Sequence, residues 1–123
     1  MDSSNTRVFA QLAVEHWKLL RAAYRILTDL PIDQQKRVEA QYRYASTRLK
    51  QLSEEMGLRL VEYEGAQYSP NLPVCVVNAD DFDDNNGLIV AQTLEPAAIH
   101  DGSVILMGKV LLEEGEVTDV SGD

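Results

Sequence analysis

Phe9-Ala-Gln-Leu12-Ala-Val-Glu-His16-Trp-Lys-Leu19-Leu-Arg-Ala-Ala23-Tyr-Arg-Ile26-Leu-Thr-Asp-Leu30-Pro31 decides the fold of this chain of 123 residues. Its apolar positions Phe9, Leu12, His16, Leu19, Ala23, Ile26 and Leu30 advance by alternate threes and fours, the period of paired helices and not of a strand. After Pro31 a second seam of the same period follows: Val38, Tyr42, Ala45, Leu49, Leu52, Met56. Proline cannot continue a helix, so the chain breaks there and turns back as a hairpin. The first helix is expected over residues 6–29, with N-cap candidates among Ser3, Ser4, Asn5 and Thr6. The second runs from a cap at Asp33 to Met56, where Gly57 suits a left-handed C-terminal stop.

The first helix carries an additional apolar stripe, Ala13, Trp17, Leu20, Tyr24 and Leu27, whereas the flank of the second reads Gln41, Tyr44, Arg48, Gln51. A lone hairpin leaves that extra stripe uncovered. It is therefore read as a homodimer interface, two hairpins forming a four-helix bundle of isologous symmetry. The competing reading packs Trp17, Leu20 and Tyr24 against the β-module of the same chain.

Beyond Gly57 the period changes to two, with Leu58 and Leu60 alternating with Arg59. Short strands are expected at Val74–Val77, at Leu88–Leu94 ahead of Pro96, and at Val104–Leu112, where Gly108 marks a bulge or a close backbone approach. Asp101-Gly102 between two apolar runs is a strong hairpin signal. The fold class is thus α+β. Residues 1–56 form a helical hairpin, residues 57–112 a small all-β domain, and residues 113–123 a disordered acidic tail.

Charge is split along the chain. Residues 1–56 hold nine basic and seven acidic side chains, and residues 57–123 hold two and thirteen. So acidic a C-terminal half repels nucleic acid and anionic lipid and steers a basic protein partner. No segment reads as a membrane span or a signal peptide, so cytoplasmic residence is expected. The single cysteine, Cys75, excludes an internal disulfide, and its strand-like surroundings suggest a buried, inert thiol.

Few residues suit chemistry. The loop Asp80–Gly87 is rich in acids, but an EF-hand register places Asn86 at the glycine position and Gln92 at the bidentate glutamate position. A solvated hairpin loop is the better reading, with weak divalent binding the alternative. His16 lies on the first seam as an interface histidine, and His100 lies in a turn, where exposure is expected. Neither belongs to a metal-binding or nucleophile motif, and no P-loop or Gly-x-Ser-x-Gly is present. The chain is read as a non-enzyme needing no cofactor and no metal. Tyr42 belongs to the second seam, leaving Tyr44 and Arg43 as a candidate recognition patch or an ordinary solvated face.

One stretch carries a likeness. Gly57-Leu-Arg-Leu-Val-Glu-Tyr-Glu-Gly65-Ala-Gln-Tyr68-Ser69-Pro70-Asn-Leu72-Pro73-Val-Cys75-Val76 resembles the opening of the β-domain of GrpE, the nucleotide exchange factor of DnaK-type chaperones. Gly57, Gly65, Pro70, Leu72 and Val76 match the family pattern, and Tyr68 keeps its aromatic. Ser69 replaces an aspartate, Pro73 a histidine and Cys75 an alanine. Val104–Val110 is similar to the closing strand of the family, with Leu106 where an arginine is usual. The resemblance implies a cochaperone that binds the nucleotide-binding domain of a DnaK-type protein and promotes nucleotide release. Its implied contacts are Tyr68, Pro70, Leu72, Leu106 and Lys109. The alternative is a non-catalytic adaptor, or a small acidic secretion chaperone, that binds a protein without exchange activity.

Overall fold

The computed structural model describes residues 3–115. Helix α1 (Ser3–Arg25) is followed by a 3₁₀ turn (Leu27–Asp29) and helix α2 (Ile32–Glu55). Among the described residues six strands succeed them: β1 (Leu58–Val61), β2 (Val74–Val76), β3 (Ile89–Glu95), β4 (Ala97–His100), β5 (Ser103–Leu106) and β6 (Gly108–Glu113). Two helices followed by a small β region make the α+β class expected from the period change at Gly57. The expected tail falls largely on residues 116–123, outside the described residues.

The helix ends show local chemistry at work. α1 starts early enough that Ser4, Asn5 and Thr6 lie inside its first turns. Asp33 is not the cap of α2, because the preceding proline already ends the turn: the Pro31 carbonyl accepts from the amides of Gln34 and Gln35, both at 2.9 Å. Asp33 instead sits in the first turn, where its charge favours the helix dipole. The Gln35 side-chain amide donates to the Leu30 carbonyl at 2.8 Å and closes the inter-helix turn. At the other end Gly57 adopts φ +72° and its amide donates to Glu54 O at 2.9 Å. The left-handed stop is the one expected there.

The strands divide between two three-stranded sheets, β1-β4-β5 and β2-β6-β3. The described residues accordingly form two compact units, one of residues 3–60 with Ala98–Leu106, the other of Val61–Ala97 with residues 107–115. The boundary therefore differs from the one read at residue 57, because the helices recruit three strands to finish their own core. The expected closing strand Val104–Leu112 is two strands, parted at Met107 and assigned to different sheets.

In the first unit Ala10, Ala13, Leu58 and Ala98 are buried together, with Phe9, Leu49, Leu60, Ile105 and Leu106 packed around them. The β4–β5 hairpin turns through Asp101 and Gly102, both at positive φ (50° and 83°), as a type I′ turn requires. The Arg7 guanidinium donates to the Ile105 carbonyl at 3.1 Å and so satisfies a carbonyl of β5, a strand at the sheet edge.

In the second unit β6 is central, parallel to β2 and antiparallel to β3. Val74, Val90, Val110 and Leu112 form its core, flanked by Tyr63, Tyr68, Leu72, Val76, Phe82 and Leu88. Residues 63–68 run along β3 and cover its free edge. The Gly65 amide donates to Val90 O and the Val90 amide to Ala66 O, both at 2.9 Å, and Tyr68 N donates to Leu88 O at 2.7 Å. Buried Thr93 pins the same segment: its hydroxyl accepts from Tyr63 N at 3.1 Å, and its amide donates to a Glu64 carboxylate oxygen at 2.8 Å.

Candidate protein-binding site

The turn at Tyr68–Leu72 is the most firmly built of the surface features singled out in the sequence. Tyr68 and Leu72 are half-buried against the Val74–Val110 core. The Leu72 amide donates to Ser69 O at 3.1 Å and the Val74 amide to Leu72 O at 2.8 Å, which fixes the path of the chain into β2. Pro70, between the two anchors, is exposed. Two apolar feet thus hold a rigid proline outward.

Lys109 belongs to the same unit and is exposed on β6, with its ammonium 3.8 Å from the Glu95 carboxylate. Leu106 does not join them. It lies in the first unit, half-buried against the Ala10–Leu58 core, so its side chain is engaged in packing. The strand break at Met107 is the cause, since it sends the residues on either side into different sheets. Four of the five expected contacts therefore share one unit.

That unit is strongly acidic: residues 61–97 and 107–115 hold nine acidic side chains and one basic one. Part of the acidic loop is ordered by packing. Asn78 exchanges two hydrogen bonds of 2.9 Å with the main chain of Leu112, and Phe82 is packed against the core beyond a short 3₁₀ turn, Ala79–Asp81. Among the described residues no group of three His, Cys, Asp or Glu side chains is placed to hold a metal ion. No helix there is long and apolar enough to cross a membrane.

Cys75 is exposed, which corrects the expectation of a buried thiol. Strand geometry is the reason: Val74 points into the core, so its neighbour must point out, in register with Lys109. His100 is less open than a turn position suggests. It is half-buried, with Nδ1 3.7 Å from the Asp101 carboxylate. Tyr44 is exposed, and Arg43 pairs with Glu39 at 3.1 Å.

The two stripes exchange roles in part, since Phe9 of the first packs on the core while Tyr24 of the second is 53% exposed. Ala13, expected at a dimer interface, is 3% exposed and enclosed by its own chain, so it offers nothing to a second copy. Tyr24 lies against Tyr42 of α2 with ring centroids 5.0 Å apart, while Trp17, Leu20 and Leu27 are half-buried. The Arg21 guanidinium sits 4.4 Å from the Trp17 ring centroid. Conversely Leu12, Leu19 and Ile26, assigned by period to the hairpin contact, are 66%, 68% and 56% exposed, as is His16. Val8, at 62%, extends this outer line and had no assignment in the sequence. The signal that separates the stripes is size, for alanines at positions 10 and 13 mark the side of close approach.

Compared with known protein families, with curated proteins and with solved structures, the chain matches none.

Proposed function

We propose that this chain is a non-enzymatic, cytoplasmic cochaperone of GrpE-like design. Its acidic second unit engages the nucleotide-binding domain of a DnaK-type chaperone and promotes nucleotide release. The observation that carries the reading is the braced turn at Tyr68–Leu72, which presents Pro70 from a unit with nine acids and one base. Supporting it, Gly57 and Gly65 of the resembling stretch hold φ +72° and +84°, where glycine is strongly favoured. Tyr68, Leu72 and Val76 of the same stretch pack on one core.

The mechanism asks no side chain to transfer a proton or form a bond. A rigid acidic unit that binds the open nucleotide cleft better than the closed one weakens nucleotide binding by linkage, and nucleotide weakens its binding by the same factor. Charge steers encounter with a basic surface. Pro70 supplies a preformed apolar contact, with little conformational freedom left to lose on binding.

Stopped-flow release of a fluorescent nucleotide from the chaperone tests this. Release is expected to quicken at least tenfold at saturating protein and to revert with Pro70→Glu, a change at an exposed position made at unchanged circular dichroism. Unaltered release at saturation removes the exchange function. A second reading, an adaptor that binds without exchange, is favoured by the inward packing of Leu106, which stands where the family has an arginine. Binding by calorimetry with no change in release is the result it requires.

A further inference from the structure

We infer that the outer face of α1 is a self-association surface, on which α1 of a second copy of this chain lies antiparallel. This goes beyond the chaperone reading and does not rest on it. At about 100° per residue, Val8, Leu12 and Leu19 fall within roughly 40° of one another, on the side of the helix away from buried Ala10, Ala13 and Val14, and exposed Ile26, the residue directly after α1, follows in the same spacing. They form an apolar line about 27 Å long, with Glu15 and Ala22 in its two gaps.

The occupant follows from the order of residues along that line. Val8, Leu12, Glu15, Leu19, Ala22, Ile26 reads with steps of four, three, four, three, four, so its spacing is the same from either end. Reversed on itself about position 17, it sets Val8 against Ile26, Leu12 against Ala22 and Glu15 against Leu19. Each leucine of the middle layers then meets a smaller or slimmer side chain. The Glu15 carboxylate also lands one position from Lys18 of the other copy, and within one chain these two already stand 3.5 Å apart. A parallel, in-register pair instead stacks Glu15 on Glu15, a like-charge contact within the seam. Charge therefore selects the antiparallel arrangement, which is isologous and closes as a dimer.

The available area sets the strength. At roughly 70 Å² of exposed apolar side chain apiece, the four anchors remove about 560 Å² across two copies. The flanking Gln11, Glu15, Lys18 and Ala22 bring the total to about 1,000 Å², the lower bound of specific interfaces. The dimer is thus expected to dissociate in the micromolar range and not to be obligate.

Sedimentation velocity on the full chain from about 1 to 200 μM tests the pairing. Twice the chain mass is expected at the upper end, with Leu19→Glu raising the midpoint at least tenfold at unchanged circular dichroism. A monomer throughout overturns the proposal, as does a dimer indifferent to Leu19→Glu. Orientation is read in a Cys75→Ser background by mixing Val8→Cys and Ile26→Cys chains under mild oxidation. Cross-linked mixed dimers are expected, and Val8→Cys chains cross-linked only to each other overturn the antiparallel arrangement. No chaperone enters either measurement, so this proposal and the exchange function fail separately.

Discussion

Replacing Gly108 by alanine tests how the second unit is closed. Gly108 opens β6 and is buried, and its backbone does not need glycine for conformational reasons, since its φ lies outside the positive region. Space is what forbids a side chain. A Cβ there would stand 2.9 Å from the carbonyl oxygen of Glu95 and 3.0 Å from the amide nitrogen of Ala97, both backbone atoms of the connection through Pro96. Ordinary contact begins about half an ångström further out, and neither atom can rotate away. Overpacking of this kind typically costs about 1–3 kcal/mol. Removing glycine's freedom in the unfolded chain returns about 0.4–1 kcal/mol. The net expectation is a loss of about 1–2 kcal/mol, or roughly 4–10 °C in Tm. The assay is a urea titration followed by the amide NMR signals of Val110 and Leu112, which report the second unit alone. Gly102→Ala is the control: its glycine has φ +83° with nothing within 4 Å, so that loss arises from backbone strain and falls on the first unit. An unchanged midpoint for Gly108→Ala would refute the close approach.

Three further outcomes follow from buried polar groups. Thr93→Val keeps the shape of a fully buried side chain but leaves the Tyr63 amide without its acceptor, so a loss of about 1–3 kcal/mol is expected, together with faster hydrogen exchange at Tyr63. Asn78→Ala removes both bonds to Leu112 and should destabilise the second unit by about 2 kcal/mol, while Asn78→Gln, one methylene longer, should restore little of it. Ser53→Ala should act in the opposite direction. The Ser53 hydroxyl is buried in α2 with no hydrogen-bond partner among the described residues, so its removal together with the better helix propensity of alanine should raise stability by about 1–2 kcal/mol, read by thermal melting at 222 nm.

Features set by a few neighbouring residues were legible in the sequence. Gly57 and the pair Asp101-Gly102 announce left-handed backbone through residue type alone, and the structure places positive φ at all three. Pro31 and Pro96 bound their elements for an equally local reason, since proline lacks the amide that would continue the ladder. Features set by distant partners were not legible. Val104–Leu112 is apolar almost throughout, so nothing in its period reveals that Leu106 pairs with Ala98 while Gly108 pairs with Val74. Val74-Cys75-Val76-Val77 is likewise apolar on both faces. Which of its residues points inward is fixed by register with β6, and a shift of one residue inverts the answer. The turn at Tyr68–Leu72 was found through its likeness to a known pattern, because its bracing by the second core has no signature in spacing.

The stripes of α1 show why hydrophobicity alone misdirects. Ranked by apolar content, Leu12, Leu19 and Ile26 outweigh Ala10, Ala13 and Val14, and a period analysis turns the heavier side inward. Packing weighs something else. The distance at which a helix can dock is set by the side chains at the contact. With Ala10 and Ala13 at the contact, Leu58 and Ala98 come close enough to be almost wholly buried. With Leu12 and Leu19 turned inward, the helix would stand off from those strands, and the small Ala98 could not fill the gap. Each residual void would then cost more than the additional burial contributes, because cavity volume is penalised beyond the transfer term. The small side faces in because it permits density, and the large side is left outside as a consequence. An outer line of large apolar side chains is therefore compatible with a well-packed first unit.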